Sequence, residues 1–195
     1  MADNDATNVN VMKGVAAGYA YWAPLGTKYD ATMVKTRTVP DGFKPLGYIT
    51  SDGIVNSFSS DSDTAADLNG VTVATIKTSY EETFQQVFME RTEETLKLYF
   101  GSENVSSDST STVQTIKHNS SFDSVGFMLL YRLISKETDA AYEYTDIWVP
   151  SAKISERGDI TLSGTGLYQL DTTVSALPDT EGNCAYEYTA SVNKS

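Results

Sequence analysis

TVATIKTSYEETFQQVFM, residues 72–89, reads in two ways. Ile76, Tyr80, Phe84 and Phe88 stand four apart and would stripe one side of a helix, and Ser79 with Glu82 has the spacing of a capping box. Taken in twos, the same residues put Lys77, Ser79, Glu81, Thr83 and Gln85 on a polar face opposite the aromatic ones, and the Thr, Tyr, Val and Phe content suits a pleated surface. We read a strand. At roughly 3.3 Å per residue it would extend about 60 Å unbroken, beyond the usual strand length, so it is expected to leave the body of the protein.

Downstream, Thr92 can cap a short helix, Glu93 and Glu94 suit its positive N-terminal end, and Gly101 can close it. Leu96, Tyr99 and Phe100 form its apolar stripe. Residues 125–134 are apolar on both faces, which predicts a central strand covered on two sides, with 143–149 as its neighbour. Alternation is clearest over 159–176. Ile160, Leu162, Tyr168, Leu170, Val174 and Ala176 share one face there, and Asp159, Thr161, Ser163, Gln169, Asp171 and Thr173 the other, with Gly164 and Gly166 marking a bend. Cys184, Tyr186, Tyr188, Ala190 and Val192 alternate with Glu187, Thr189 and Ser191 as a half-buried terminal strand. SSDSDTAADLNG (59–70) and GSENVSSDSTS (101–111) are expected to be loops. Strands dominate, and with no charge run or low-complexity block the 195 residues read as one domain.

Composition narrows the function. The 26 acidic and 14 basic residues leave a formal charge of −12, which disfavours tight binding to phosphate backbones or anionic membranes. The polar, acidic N-terminus does not read as a signal peptide, and the longest apolar run, VGFMLLYRLI, is interrupted by Arg132 and too short to span a bilayer, so a soluble protein is expected. Its single cysteine, Cys184, excludes an intrachain disulfide and falls on an apolar strand face, as an inert core thiol would. The only histidine, His118, lies in IKHNSS, where a strand end explains it and no Gly-x-Ser-x-Gly elbow accompanies it. Asp61, Asp63, Asp67 and Asn69 have the flavour of a calcium loop, but Ala65 and Ala66 stand where a ligand and the turn glycine belong. Gly164-Thr165-Gly166 lacks the third glycine of a dinucleotide fingerprint, Gln169 standing in its place. Arg157-Gly158-Asp159 falls between Ile154 and Ile160 and reads as a strand connection, with Gly158 free to take positive φ, not as an adhesion loop. No residue set predicts an enzyme, a cofactor or a metal.

IWVPSAKISERGDITLSGTGLYQLDTTVSAL, from Ile147 to Leu177, resembles the C-terminal half of the major tail tube proteins of long-tailed, non-contractile bacteriophages. GYAYWAPLGT, FKPLGYITSDGIVNSFS and TSYEETFQQVFMERTEETLKLYFG are similar to the first strands and the strand-then-helix unit of that family, so the likeness covers most of the chain. The resemblance implies a mainly β fold, a β-sandwich or small barrel with one flanking helix and long hairpins, six copies closing into a ring and rings stacking into a hollow tube. It implies lumen-lining faces, for which the strips Lys77, Ser79, Glu81, Thr83, Gln85 and Asp159, Thr161, Ser163, Gln169, Asp171 are the candidates. It implies an N-terminal arm, here 1–15, and a long loop, here 59–70 with Asp61, Asp63, Asp67 and Asn69, that bridge neighbouring rings. Its partners would be further copies of itself, a tape measure protein, tail terminator and baseplate or tail-tip proteins, and passing DNA held without sequence readout. The location would be the virion tail, and the host cytoplasm during assembly. A decoration protein or secretion-type tube remains an alternative, as does a carbohydrate-binding β-sandwich using Trp22 and Trp148 as stacking platforms, for which core packing is the plainer role.

Overall fold

The computed structural model describes residues 9–108, 110–120 and 125–194. In chain order the first elements are β1 (Lys13–Gly14), β2 (Ala20–Pro24), a single helical turn α1 (Met33–Thr36), β3 (Lys44–Pro45), β4 (Ile49–Ala66) and β5 (Thr72–Phe88). After them come α2 (Glu93–Phe100), the small hairpin of β6 (Val105–Asp108) and β7 (Val113–Ile116), then β8 (Phe127–Glu137), β9 (Ala141–Arg157), β10 (Leu170–Ala176) and β11 (Tyr186–Asn193). Apart from the β6–β7 hairpin, the strands form one nine-stranded antiparallel sheet in the order β3-β2-β8-β9-β10-β5-β4, with β1 added to β8 and β11 to β9.

The two ends of that order are consecutive in the chain. Only Leu46, Gly47 and Tyr48 separate β3 from β4. Leu46 N donates to Ala20 O of β2 (2.9 Å), and Met89 N, just past β5, donates to Tyr48 O (2.8 Å). A sheet whose two edges are held by three residues must curl round on itself, which closes the body but leaves the outer side of β4 without a partner strand. Inside, β2, β8 and β9 face β5 and β10 across one core, in which Phe84, Phe88, Leu129, Tyr131, Val149, Leu170 and Val174 are completely shielded from solvent. The architecture is mainly β, a curled sandwich with one flanking helix.

α2 adds Leu96, Leu98, Tyr99 and Phe100 to the core. Thr92 caps it as expected: Thr92 Oγ1 accepts from Thr95 N (3.2 Å), and Thr95 Oγ1 accepts from Thr92 N (2.9 Å). Glu93 and Glu94 of the first turn also hold Lys97 at 2.7 and 3.7 Å. Thr92→Ala removes one half of this reciprocal pair and is expected to cost about 1 kcal/mol, read as a lower urea midpoint at unchanged slope.

β8 is the central strand anticipated for 125–134, and its two faces serve two cores. Phe127, Leu129 and Tyr131 point into the main one, whereas Met128 and Leu130 join Tyr21, Ala23 and Phe43 in a second cluster outside the curled sheet. Segment 25–43 lies over this outer cluster. Arg132, 1% exposed, pins it: the guanidinium donates to Thr38 O (2.8 Å), Met33 O (3.3 Å) and Asp146 Oδ2 (2.9 and 3.2 Å). The apolar run predicted β8 but not this buried ion pair inside it.

Three sequence expectations need correction. Segment 59–70 is not a loop, because residues 59–66 belong to β4 and pair with β5 along its length, leaving the turn to Asp67 and the residues after it. Segment 101–111 likewise holds a 3₁₀ turn (Ser102–Asn104) and strand β6. The continuous strand over 159–176 is absent before Leu170. Leu170 pairs with Phe88, the last residue of β5, and β9 ends at Arg157, so residues 158–169 have no partner strand on either side. Alternation alone does not make a strand where no ladder is available. Ile160 and Tyr168 still pack on the core, but Leu162 is 82% exposed. Of the N-terminal arm 1–15, residues 1–8 lie outside the described residues, while Lys13 and Gly14 pair with Ile134 and Leu133.

Candidate assembly and lumen surfaces

β4 and β5 leave the body as a two-stranded arm. Every residue of 57–66 and 72–80 is exposed, so both faces meet solvent, and each strand pairs only the inward half of its backbone groups with its partner. This is the outcome that the excess length of 72–89 foretold. Closer to the body, burial alternates strictly: Glu82, Phe84, Gln86 and Phe88 are covered and Glu81 and Gln85 are exposed.

The ladder register settles which predicted residues share a face. Asp61 pairs with Ser79 but Ser62 pairs with Lys77, leaving Thr78 as an extra residue. Directly opposed residues share a side and neighbours alternate, so this bulge carries Lys77 across to the other face from Ser79, Glu81, Thr83 and Gln85. The side chains agree. Ser79 Oγ donates to Asp61 Oδ2 (3.0 Å), while Lys77 Nζ lies 4.2 Å from the ring centre of Tyr80, on the side of buried Glu82. Lys77 is therefore not part of the strip assigned to it.

Four residues of that strip remain together and gain others. Thr173 lies opposite Gln85 and Ser175 opposite Thr83 on β10, and across β10 the register adds Glu156 and Lys153 of β9. Gln85 Nε2 donates to Asp171 Oδ1 and Ser175 Oγ to Glu81 Oε1, each at 3.3 Å. On β4, Ser57, Ser59, Asp61 and Asp63 share this side through their partners Thr83, Glu81, Ser79 and Ile76. The result is one outward face over β4, β5, β10 and β9 with acids at Asp61, Asp63, Glu81, Asp171 and Glu156 against one cation, Lys153. Of the second predicted strip only Asp171 belongs to it; Asp159, Thr161, Ser163 and Gln169 sit in the connection 158–169. Ser175, Glu156 and the β4 residues were missed because each lies on a strand whose neighbours the sequence does not name.

Asp67 and Asn69 form the turn of the arm. Asp67 Oδ1 accepts from Val71 N and Asn69 N, both at 2.9 Å, and these backbone donors hold its carboxyl below the usual carboxylate range. Gly70 supplies the left-handed φ of +79° that the turn needs. A turn, not a cation, explains these residues, and no metal-holding group of His, Cys, Asp or Glu occurs among the described residues.

Arg157-Gly158-Asp159 fastens the end of β9 to α2. Arg157 Nη1 donates to Tyr99 O (3.3 Å), Tyr99 Oη donates to Gly158 O (2.6 Å), and Gly158 N donates to Asp171 O (2.9 Å). Gly158 is not among the glycines of positive φ; it is needed because a Cβ there would lie 2.7 Å from Asp171 Cβ. Gly158→Ala should lower the thermal midpoint and push Asp171 off its contact with Gln85, which a comparison of the two proteins' unfolding curves and Gln85 side-chain amide shifts checks.

The candidates for chemistry stay apart. His118 packs at 4.8 Å on the Phe100 ring beyond β7, and Cys184 is buried in the cleft beside Glu82, where burial raises its thiol pKa. Trp22 Nε1 donates to Glu94 Oε2 (3.1 Å) with the ring edge-on to Phe127, and Trp148 stacks with Tyr29 and Tyr186 at 5.2 and 5.4 Å. Both indoles serve packing within the chain.

A further device ties the chain ends. Glu137 at the end of β8 binds Lys13 (2.6 Å) and Lys194 (3.1 Å), which lower its pKa to about 2. A depressed carboxyl adds stability above its unfolded pKa, near 4.5, and loses it as pH falls toward 2. Acidification through that window is expected to loosen β1, seen as faster hydrogen exchange at Gly14 and Leu133 relative to the β8 interior, and more strongly at low salt.

A long, solvated strand pair projecting from a closed β body, with an acidic face beside it, is the setting in which the comparison with known families becomes decisive. The family model described as phage tail tube protein matches residues 1–192. The chain belongs to the phage tail tube protein family. No curated protein matches it as a relative. As a tail tube protein it is a structural component of the virion tail, in a family that assembles with itself and with other tail proteins. Among the described residues no helix is long and apolar enough to cross a membrane.

Proposed function

We propose that this tail tube protein closes into six-membered rings, that the rings stack into a hollow tube around a tape measure protein, and that the tube later conducts DNA into the host. The observation that carries the reading is the outward face of β4, β5, β10 and β9. Within the body its opposite side is the apolar core and in the arm it is solvent, while the face itself is hydroxyl-rich and acidic, with Val55 and Ile76 as its exposed large apolar residues on β4 and β5, which suits a wall that water and a polyanion pass. Like charge keeps phosphate from settling, since bound states along the path would require cations to replace its counterions. Ser79, Glu81, Thr83, Gln85 and Asp171 are the lumen residues on this reading. The exposed edge of β4 is the place where a neighbouring copy would continue the sheet, and the arm tip reaches toward the next ring. Tail terminator and tail-tip proteins would close the two ends, in the assembling host cytoplasm and then in the virion. Electron microscopy of the concentrated protein, alone and with its tail-tip initiator, is expected to show rings or tubes of sixfold symmetry; persistent monomers with the initiator present would sink the proposal.

A further inference from the structure

The chain builds the same five-residue turn twice. At the end of the arm, Asp67 N donates to Val71 O (2.9 Å), Gly70 N donates to Asp67 O (3.0 Å), and Asp67 Oδ1 accepts from Asn69 N and Val71 N, both at 2.9 Å. Between β10 and β11, Asp179 N donates to Asn183 O (3.0 Å), Gly182 N donates to Asp179 O (3.1 Å), and Asp179 Oδ1 accepts from Glu181 N (2.9 Å) and Asn183 N (3.0 Å). In both turns the fourth residue is a glycine of left-handed φ, +79° at Gly70 and +88° at Gly182, with open space where a Cβ would stand. The third residue differs. It is Asn69 in one and Glu181 in the other, so the turn itself does not need the Asn69 carboxamide.

An asparagine in front of a glycine brings its own chemistry. Attack of the Gly70 nitrogen on Asn69 Cγ is intramolecular and closes a five-membered ring, and glycine has no side chain to hinder it. Of the nine asparagines in the sequence, Asn69 alone precedes a glycine. Both residues are exposed and stand outside the ladder, since β4 ends at Ala66 and β5 begins at Thr72. A turn at the far end of a solvated arm, away from any core, opens locally at small cost. What opposes the attack is Asp67: Oδ1 holds Asn69 N, Oδ2 accepts from Asn69 Nδ2 (3.3 Å), and the main-chain carbonyl holds the Gly70 N–H.

We propose that Asn69 is a modification site of this protein, converted by its own backbone to an aspartyl or isoaspartyl residue, and that the Asp67 side chain sets the rate. Gly70 N gives its proton to solvent base and bonds to Asn69 Cγ; the Cγ–Nδ2 bond breaks and Nδ2 leaves, with a proton, as ammonia. Water then adds to one of the two carbonyl carbons of the ring, and the bond from that carbon to Gly70 N breaks, the nitrogen taking a proton. Opening at Cγ leaves an aspartyl residue, and opening at the main-chain carbonyl leaves the chain running through the side chain as an isoaspartyl. One water enters, one ammonia leaves, and nothing is oxidised or reduced. Either product adds a carboxylate to a segment, 61–76, that already carries Asp61, Asp63 and Asp67 and no base, and the isoaspartyl form lengthens the turn by one backbone atom. The inference concerns the single chain and does not rest on the tube reading.

The test holds the full chain at mildly alkaline pH in heavy-oxygen water and locates each hydrolysis by peptide mapping. Conversion at Asn69 is expected to outrun that at Asn183, which is also exposed and belongs to the twin turn but precedes Cys184. Asp67→Ala should raise the Asn69 rate roughly fivefold, the effect of losing about one hydrogen bond, at an unchanged unfolding midpoint, while Asp67→Asn, which keeps a side-chain acceptor, stays near the unmodified rate. Asn69→Glu, which copies the twin turn, should take up no heavy oxygen in this peptide. Conversion at Asn69 no faster than at Asn183, equal rates in the unmodified and Asp67→Ala chains, or uptake that persists in Asn69→Glu overturns the proposal.

Discussion

Asp146→Ala is expected to destabilise the protein by about 3–5 kcal/mol, the largest loss from any single polar side chain here. Arg132 is almost wholly buried and Asp146 Oδ2 accepts from its Nε and Nη2, while Tyr29 Oη donates to the same oxygen at 3.0 Å. Removing the carboxylate leaves a guanidinium in a low-dielectric setting with only two carbonyls, Thr38 O and Met33 O, for company. The damage reaches beyond the pair, because those carbonyls belong to the layer over 25–43, and this layer carries Tyr29 onto Trp148. Replacing both partners at once, Arg132→Met with Asp146→Leu, is expected to cost much less than Asp146→Ala, since no charge is then stranded. Urea unfolding followed by tryptophan fluorescence measures both. A loss below about 1 kcal/mol for Asp146→Ala would show that the ion pair does not hold the layer.

Glu81→Lys is expected to leave folding and assembly intact and to slow genome ejection several-fold at low salt. Glu81 is exposed on the outward face and the hydrogen bond it accepts from Ser175 Oγ is long at 3.3 Å, so the subunit loses little. In a tube the change is repeated at every subunit around and along the bore, so a local reversal becomes a continuous attractive field for phosphate. Asp171→Lys acts on the same face but also breaks the bond from Gln85 and crowds Gly158, so Glu81→Lys separates charge from packing more cleanly. The defect should fade toward 1 M salt, where the Debye length is about 3 Å. Lys77→Glu provides the contrast: it lies beyond the bulge on the other face and should leave ejection unchanged. Unaltered ejection from assembled Glu81→Lys particles at low ionic strength would mean that this face does not line the bore.

The elements that the sequence determined alone are those whose signal is local. β5 follows from its Thr, Tyr, Val and Phe content and from a polar side set opposite the aromatic one, and its length already required an excursion from the body. α2 follows from Thr92, Glu93 and Glu94, and β8 from ten apolar-rich residues that only a doubly covered strand can hide. The order of such stretches along the chain was enough for the tail tube resemblance that the family match later established. What the tertiary structure alone decided depends on pairing between distant segments. A one-residue bulge at Thr78, invisible in composition, moved Lys77 off the face of Ser79 to Gln85. The absence of a partner strand beyond Phe88 and Arg157 turned an alternating stretch at 159–169 into a connection. The Ser- and Asp-rich look of 59–66 hid a strand, because a ladder bond to β5 holds a polar residue as firmly as an apolar one. Arg132 read as an interruption in an apolar run until Asp146, Thr38 and Met33 were brought to it from three other segments. Periodicity reports which side chains tend to share a face; register, bulges and buried charge pairs report which faces meet, and these arise only when residues far apart in the chain become neighbours.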